Sequence, residues 1–223
     1  MSAARMNDRH GIGLTSQRAR NRLVDQLRGM GIGSEEVLDL IRTIPRHLFV
    51  DEALASRAYE NNALPIGFGQ TISQPYIVAA MTEMLVTTGP MFKVLEIGAG
   101  CGYQTTLLSK LARHVYSIER IAALANRLRS RLHELRVTNV RVRHGDGRQG
   151  WPVHAPFDAI LVAAAASVVP PSLLEQLALG GRLVMPVGVP GEQTLMLLRR
   201  TPEGIVEEPQ QRVSFVPLVD GVS

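Results

Sequence analysis

From Phe92 onward, short apolar runs alternate with amphipathic segments, and this pattern limits the possible folds more than any other feature of the sequence. Such runs predict strands buried on both faces, and the segments between them predict crossover helices. This alternation is typical of a parallel, doubly wound α/β sheet with helices on both faces. The predicted strands are KVLEI, HVYSIE, VRVRH, FDAILVA and GRLVMPV, followed by TLMLLRR and, after a turn near Pro202, a final VSFVPLV.

The first third of the chain is predicted to be helical. Apolar residues at helical spacing indicate one helix after Ser16 and a second after Ser34, a favourable N-cap that two glutamates follow. A polar, glycine-containing stretch covers residues 59–74. A third helix is predicted to begin at Pro75, because proline is tolerated in a first helical turn. The chain therefore combines a helical N-terminal part with an α/β core.

Composition limits the class of protein. With 223 residues, 45% of them hydrophobic and 20% charged, the chain can bury the core of one α/β domain with appendages. Its longest apolar stretch, residues 159–166, is too short to span a bilayer, and no apolar segment follows the early arginines as in a signal peptide. Because Cys101 is the single cysteine, we expect no internal disulfide, no metal site and a reducing, cytoplasmic location. No membrane partner is expected.

The net charge of +4 raises the question of a nucleic-acid partner. The positive charges are spread along the chain, and their densest run, over residues 127–136, lies on a predicted helix, where a solvated face is the simpler interpretation. Aromatic residues make up only 4% of the chain, which leaves few platforms for stacking bases. We therefore expect no nucleic-acid partner.

A glycine-rich turn follows the first strand of the alternating region. Gly98, Gly100 and Gly102 stand between this strand and a helical segment, YQTTLLSKLA. A turn of this kind lets a ligand approach the backbone closely at the carboxyl edge of a sheet, although an ordinary strand-to-helix turn has the same appearance. The dinucleotide pattern needs a glycine where Tyr103 stands, which disfavours a nicotinamide oxidoreductase. The surrounding strand and helix favour a cofactor site.

Acidic residues follow the neighbouring predicted strands. Glu96 precedes the glycine turn, Glu119 ends the second strand, and Asp146 with Gly147 lies in the turn after the third. Each acid alone is a common turn-former or cap, but three at successive strand ends are hard to explain in that way. They would serve a pyrophosphate poorly and a cationic ligand well. The pattern favours S-adenosylmethionine, which carries a sulfonium and an amino group but no phosphate.

Two segments resemble known methyltransferases. VLEIGAGCGYQTTLLSKLARHVYSIER resembles the cofactor loop of class I S-adenosylmethionine-dependent methyltransferases. PIGFGQTISQPYIVAAMTEML resembles the signature of the protein-L-isoaspartate O-methyltransferase family, and the resemblance extends through HGDGRQGW, PFDAILVAAA, GGRLVMPVG and FVPLV. The TISQP block is more specific than the glycine turn. Two small departures are visible, because Cys101 stands where the family commonly has serine and Ala163 where it commonly has threonine.

The resemblance implies a Rossmann-like methyltransferase sheet with a helical N-terminal cap and a C-terminal strand extension. We expect a disordered tail over residues 1–13 and a single domain over residues 14–223. Its parts would be a helical cap with a substrate loop (14–90), a cofactor-binding core (91–200) and a C-terminal extension (201–223).

The resemblance also implies an activity. The enzyme would transfer a methyl group from S-adenosyl-L-methionine to the α-carboxylate of isoaspartyl residues, yield S-adenosyl-L-homocysteine, and so initiate repair. Its partners would be damaged proteins and peptides that bear isoaspartyl residues, and it would act as a monomer. A carboxylate with a reference pKa of about 4 is already ionised at neutral pH, so no general base is required.

Site residues follow from the same resemblance. Ser73 precedes Pro75, where a helix N-terminus favours an anion, and an N-cap is the alternative role for a serine there. The family's catalytic serine corresponds to Ser73, Thr71 is a weaker substrate-binding candidate, and Val216 and Pro217 would help to hold the substrate peptide. The predicted cofactor-binding residues are Glu96, Gly98, Gly100, Gly102, Glu119, Asp146 and Gly147.

Two other functions remain open from the sequence. The first is a nucleic-acid methyltransferase on the same fold. Enzymes of that kind that methylate exocyclic amines carry an Asn/Asp-Pro-Pro-aromatic motif, whereas here no acid or amide precedes Pro170 and no aromatic residue follows Pro171. The second is a non-catalytic binding module that kept the fold, against which the intact glycine turn and acids argue.

Overall fold

A computed structural model describes residues 13–87 and 89–223. The described chain divides into two compact units, Met1–Glu83 and Met84–Ser223. The tail predicted for residues 1–13 lies outside the described residues except for Gly13, which begins a 3-10 turn, Gly13–Thr15. None of the helices in the described ranges is both long and apolar enough to cross a membrane.

The first unit contains the first two predicted helices and most of the third. Helices α1 (Gln17–Gly29) and α2 (Glu35–Thr43) begin after the predicted caps, and the Ser34 hydroxyl accepts the backbone N–H of Val37 at 3.4 Å. Helix α3 (Pro75–Val86) begins at the predicted proline. The 3-10 turns Arg46–Phe49 and Glu52–Arg57 lie between α2 and the residues that lead to α3. The helix boundaries predicted from caps and proline are thus confirmed.

A short hairpin occupies part of the stretch that the sequence marks only as polar. Strands β1 (Leu64–Gly67) and β2 (Gln70–Ile72) pair antiparallel, and Leu64 and Ile72 are buried. Phe68 and Gly69 form the loop with φ of 54° and 68°, which is the left-handed backbone that a two-residue hairpin loop requires. The hairpin brings the chain to Ser73 directly before α3.

The second unit is built on a sheet of seven strands, β3 (Met91–Ile97), β4 (Ala112–Glu119), β5 (Val140–His144), β6 (Phe157–Val162), β7 (Leu177–Val187), β8 (Gln193–Thr201) and β9 (Gly204–Val213). Their order in the sheet is β5-β4-β3-β6-β7-β8-β9. Strands β3 to β7 are parallel to one another, β8 pairs antiparallel with β7, and β9 pairs antiparallel with β8. Helices α4 (Tyr103–Leu111), α5 (Ala122–Glu134) and α6 (Pro171–Glu175) lie in the connections. The expected doubly wound, mostly parallel sheet is confirmed.

The central strands are buried on both faces. Leu95 and Ile97 of β3, Ile160 and Val162 of β6 and Leu183 of β7 pack in one apolar cluster. Continuous apolar runs of this kind are expected in parallel strands with helices on both faces. The cluster fixes where β3 and β6 end, and therefore where the following turns lie.

The position of the last strand differs from the prediction. VSFVPLV, residues 213–219, is not the final strand, because β9 is Gly204–Val213 and pairs with β8. Half of the residues of β9 are polar and none is buried, as is common in an edge strand. The strand therefore lacks an apolar signature. The apolar residues after β9 serve another purpose, because Leu218 packs in the central cluster and Pro217 forms an isolated bridge with Ala165.

Candidate functional site

The turn between β3 and α4 has a backbone that glycine favours. Gly98, Gly100 and Gly102 have φ of 83°, 55° and 88°, in the left-handed region where other residues are strained. The Gly98 N–H donates to the carbonyl of Ile118 at 2.9 Å. A Cβ on Gly102 would lie 2.4 Å from Leu128 Cδ1 of α5. The G-x-G-x-G spacing therefore reflects backbone conformation, with close packing added at Gly102.

Glu119, at the end of β4, organises this turn. One carboxylate oxygen accepts the Gly100 N–H at 2.8 Å, and the other accepts the Ile121 N–H at 2.9 Å. The side chain is only 4% exposed. Each carboxylate oxygen has a second lone pair, so both can still accept a hydrogen bond from a ligand hydroxyl.

Glu96 is a fully buried carboxyl group in β3. Its Oε2 accepts hydrogen bonds from the Thr105 hydroxyl at 2.6 Å and the Ser117 hydroxyl at 2.5 Å. Its Oε1 is buried without a hydrogen bond inside residues 13–87 and 89–223. The pKa of Glu96 is raised to about 7, chiefly because the group is buried. The charge of Glu119 acts in the same direction, and the hydrogen bonds from Ser117 and Thr105 act in the opposite one. A cation bound beside Oε1 would stabilise the charged form.

Asp146 caps the 3-10 turn Gly147–Gln149 that follows β5. Its Oδ1 accepts the Arg148 N–H at 2.8 Å, and its Oδ2 accepts the Gly221 N–H at 2.9 Å. A Cβ on Gly147 would lie 2.3 Å from Ile97 Cγ2, so this glycine allows the turn to pack against the end of β3. The role of both residues toward a cofactor stays a prediction.

The strand register brings the three acids to one edge of the sheet. Glu96 of β3 is paired with Ser117 of β4, and Glu119 is paired with His144, the last residue of β5 before the turn that holds Asp146. The common edge expected from their positions at strand ends is therefore confirmed. It carries fixed negative charge beside a turn whose backbone a ligand can approach.

The chain from residue 214 to residue 223 runs along this same edge, which the sequence did not indicate. The Ala165 N–H donates to Val216 O at 2.8 Å, so the predicted substrate residues Val216 and Pro217 lie beside the segment that follows β6. The Ser223 N–H donates to Arg120 O at 2.8 Å, after β4. This segment thus contacts the turns after β4, β5 and β6.

An ion pair adds to these contacts. Arg148 Nε lies 2.5 Å from Asp220 Oδ1 at a partly exposed position, close in sequence to Gly221. The pair joins the turn after β5 to the same segment. No local pattern marks it, because its two residues lie far apart in the chain.

In the first unit, Ser73 lies between β2 and α3. The Gln74 carbonyl accepts the Val78 N–H at 3.1 Å, which places Gln74 at the cap position. The Tyr76 N–H, which an N-cap side chain commonly accepts, donates instead to Asn61 Oδ1 at 2.9 Å. Ser73 is half-buried and is not needed as the cap, while Thr71 is an exposed residue of β2. The substrate roles of Ser73 and Thr71 stay predictions.

Some residues of these sites were missed by the sequence. Ser117 carried a weak signal, because it is a polar residue inside a predicted buried strand, HVYSIE. The structure pairs it in register with Glu96. Asn61, which accepts the Tyr76 N–H, and Arg46, which donates to the carbonyl of Ser73, carried none, since their partners are distant in the chain.

The parallel sheet, its glycine turn and the acids at three strand ends define the class as a Rossmann-like methyltransferase. The sequence model described as "Protein-L-isoaspartate(D-aspartate) O-methyltransferase (PCMT)" matches residues 17–223. The Halorhodospira halophila protein-L-isoaspartate O-methyltransferase is 55% identical over 211 residues, which are 95% of this chain and 96% of that protein. The Methylobacillus flagellatus protein of the same name is 54% identical over 227 residues and is covered fully, as is this chain. The chain belongs to the protein-L-isoaspartate O-methyltransferase family.

Solved structures agree with this assignment. A protein-L-isoaspartate O-methyltransferase aligns with a TM-score of 0.82 and 26% identity over 91% of this chain and 67% of that one. A Plasmodium falciparum protein assigned the same activity, crystallised with S-adenosyl-L-homocysteine, aligns with a TM-score of 0.78 and 25% identity. That alignment covers 90% of this chain and 98% of the other. The predicted family and fold are confirmed.

Proposed function

We propose that this protein transfers a methyl group from S-adenosyl-L-methionine to the α-carboxylate of isoaspartyl residues in damaged proteins and peptides. The other product is S-adenosyl-L-homocysteine. The observation that carries the proposal is the 55% identity over 95% of the chain with a protein-L-isoaspartate O-methyltransferase. The acid-lined edge of the second unit supports the choice of a cationic cofactor.

The described residues fit S-adenosylmethionine. Glu96 Oε1 is a buried acceptor without a hydrogen bond in the described chain, and the carboxylate of Glu119 keeps free lone pairs. When bound, the cofactor supplies an electrophilic methyl group on a cationic sulfur. Glu119 would hold the ribose hydroxyls and Asp146, with Gly147, the adenine. Glu96 and the turn Gly98, Gly100 and Gly102 would face the remaining, cationic part.

Ser73 would act on the substrate. Its hydroxyl would donate a hydrogen bond to the isoaspartyl carboxylate and so orient the oxygen that receives the methyl group. Orientation of this kind supplies on the order of 7–11 kcal/mol in favourable cases. A cation in direct contact with the carboxylate would stabilise the ground state more than the transition state, because the nucleophile loses its charge as it reacts. Thr71, Val216 and Pro217 would contact the peptide around that carboxylate.

The product ester would lead to a succinimide, which is the step that makes the reaction a repair. We further propose that one chain suffices for activity, since every proposed cofactor and substrate residue belongs to it, and that the enzyme works in the cytoplasm. The single cysteine supports a reducing compartment. Sedimentation at assay concentration tests the monomer.

A labelled methyl group tests the activity. Transfer to an isoaspartyl peptide should be strong, and transfer to the matching aspartyl peptide should be absent. Equal labelling of both peptides would contradict the proposed specificity. An RNA arm completes the design, because preferential labelling of RNA would favour the nucleic-acid alternative.

A further inference from the structure

Arg46 is the largest of the fully buried side chains in the part of the chain that the structure describes, with 0% of its surface exposed. It begins the 3-10 turn Arg46–Phe49. Its Nε donates to the carbonyl of Ala58 at 3.0 Å, and its Nη2 donates to the carbonyl of Ser73 at 2.7 Å. A buried guanidinium is unfavourable unless hydrogen bonds compensate for lost water, so these carbonyls must be held in fixed positions.

The two carbonyls lie on either side of the hairpin. Ala58 precedes β1 and Ser73 follows β2, so Arg46 links the two ends of the segment 58–73, which contains the hairpin and ends at Ser73. The guanidinium is planar and presents several donors in a fixed fork, which lysine does not reproduce. Arg46 therefore holds the backbone carbonyl of Ser73 in place.

Asn61 makes a second tie from the same side of the hairpin. Its Oδ1 accepts the Tyr76 N–H in the first turn of α3 at 2.9 Å. The turn over residues 73–76 is thus held at a carbonyl by Arg46 and at an N–H by Asn61. The Ser73 hydroxyl takes part in neither bond, and it donates no hydrogen bond to another residue within the described ranges.

We propose that Arg46 and Asn61 are positioning residues for methyl transfer, which fix the backbone of residues 73–76 so that the Ser73 hydroxyl meets the substrate carboxylate. The inference rests on the proposed function, in which Ser73 contacts that carboxylate. In this proposal both residues act through the backbone of residues 73–76, without contact to the substrate. Arg46 also places a positive charge behind the turn, where it favours an anion without the direct contact that would stabilise the ground state.

The first test is Arg46→Lys, which keeps the charge and loses the fork. Turnover of isoaspartyl peptide should fall roughly 10- to 100-fold, the scale expected when a reacting group is misplaced by about 1 Å. Affinity for S-adenosylhomocysteine, measured by calorimetry, should stay within about two-fold of wild type. The binding stoichiometry from the same titration gives the folded fraction. A fall in kcat that is matched by lost cofactor binding would overturn the proposal.

Arg182→Lys is the matched control. Arg182 is also buried, with 3% exposed, and it donates to the carbonyls of Leu85 and Gly89 in the second unit. This variant should lose thermal stability but keep the turnover of its folded fraction. If it loses turnover to the same degree as Arg46→Lys, the effect is one of stability and the proposal is overturned.

A milder variant covers the case in which Arg46→Lys does not fold. Asn61→Ala removes the second tie and leaves Arg46 in place, and the neighbouring exposed Asn62→Ala is its control. We expect lower kcat for Asn61→Ala and wild-type kcat for Asn62→Ala. Equal kcat in the two variants would contradict the inference.

A double-mutant cycle separates this inference from the proposed function. If Arg46 and Asn61 act through Ser73, adding either change to Ser73→Ala should slow turnover by no more than about two-fold. Fully multiplicative effects overturn the inference while Ser73 keeps its role. Wild-type turnover in Ser73→Ala alone instead removes Ser73 from the proposed function, and the inference fails with it.

Discussion

The backbone near Ser73 in the first unit and the backbone near Glu119 and Asp146 in the second are held by side chains of opposite charge. In the first unit, the buried guanidinium of Arg46 donates hydrogen bonds to the backbone carbonyls of Ala58 and Ser73. In the second unit, the carboxylates of Glu119 and Asp146 accept hydrogen bonds from backbone N–H groups. One region is organised by positive charge and the other by negative charge.

The difference matches the two ligands. A substrate carboxylate is an anion, and the cation of Arg46 favours it. S-adenosylmethionine is a cation, and fixed carboxylates favour it. In each unit, charged side chains therefore hold the backbone by hydrogen bonds, and the sign of their charge also suits the ligand proposed for that region. Variants in one region should therefore change either cofactor binding or substrate turnover, but not both.

Gly102→Ala should have the largest effect, and it should be confined to the second unit. A Cβ there would meet Leu128 Cδ1 at 2.4 Å, and the φ of 88° adds backbone strain. Overpacking and strain together should cost about 2–4 kcal/mol of unfolding free energy. Urea unfolding measures this, and S-adenosylhomocysteine affinity should fall as well.

Gly180→Ala is the control for backbone strain alone. Gly180 has a similar φ of 76°, but a Cβ there would have nothing within 4 Å. Equal losses in the two variants would show that close packing at Leu128 does not matter.

Glu96 makes the stability of the second unit depend on pH. Its pKa is raised by burial from 4.5 to about 7, so the folded protein binds this proton more tightly than the unfolded chain does. Its contribution to stability is most favourable below about pH 4.5 and declines as the pH rises to about 7. The decline corresponds to about 3 kcal/mol at most.

Glu96→Gln should remove that decline, because glutamine stays neutral and can still accept from Thr105 and Ser117. The test is the difference in unfolding free energy between wild type and variant across this pH range. The exposed Glu134→Gln should leave the wild-type profile intact. A constant difference between wild type and Glu96→Gln would mean that folding does not shift the pKa of Glu96.

Ser73→Ala should act on the substrate alone. A hydrogen bond lost to a charged group is worth about 1.5–3 kcal/mol, or roughly 10- to 100-fold in single-turnover methylation. Affinity for S-adenosylhomocysteine should stay unchanged. If Ser73 stabilised α3 instead, the variant would lose about 1 kcal/mol of stability and keep its turnover.

Glu119→Ala should have the converse effect. Lost ribose contacts, together with the lost hydrogen bonds from the Gly100 and Ile121 N–H groups that fix the turn, should weaken cofactor binding by about 1–3 kcal/mol. The KM for isoaspartyl peptide at saturating cofactor should stay close to wild type. Calorimetry with S-adenosylhomocysteine measures the loss. Unchanged affinity with an intact fold would remove Glu119 from the site and end the comparison on the cofactor side.

The sequence by itself determined those features that depend on neighbours a few residues away. The cap at Ser34, the start of α3 at Pro75 and the glycine turn were predictable, because a helix or turn forms from bonds within its own segment. The placement of Glu96 and Glu119 at one edge also followed, since parallel strands in one sheet end on the same side.

Only the tertiary structure decided the contacts between distant segments. The hydrogen bond from Arg46 to Ser73 spans 27 residues, and that from Gly221 to Asp146 spans 75, so neither leaves a local pattern. Strand β9 has no apolar pattern of its own and pairs along the edge of β8. The raised pKa of Glu96 likewise depends on burial, which packing of the whole second unit creates and no single segment encodes.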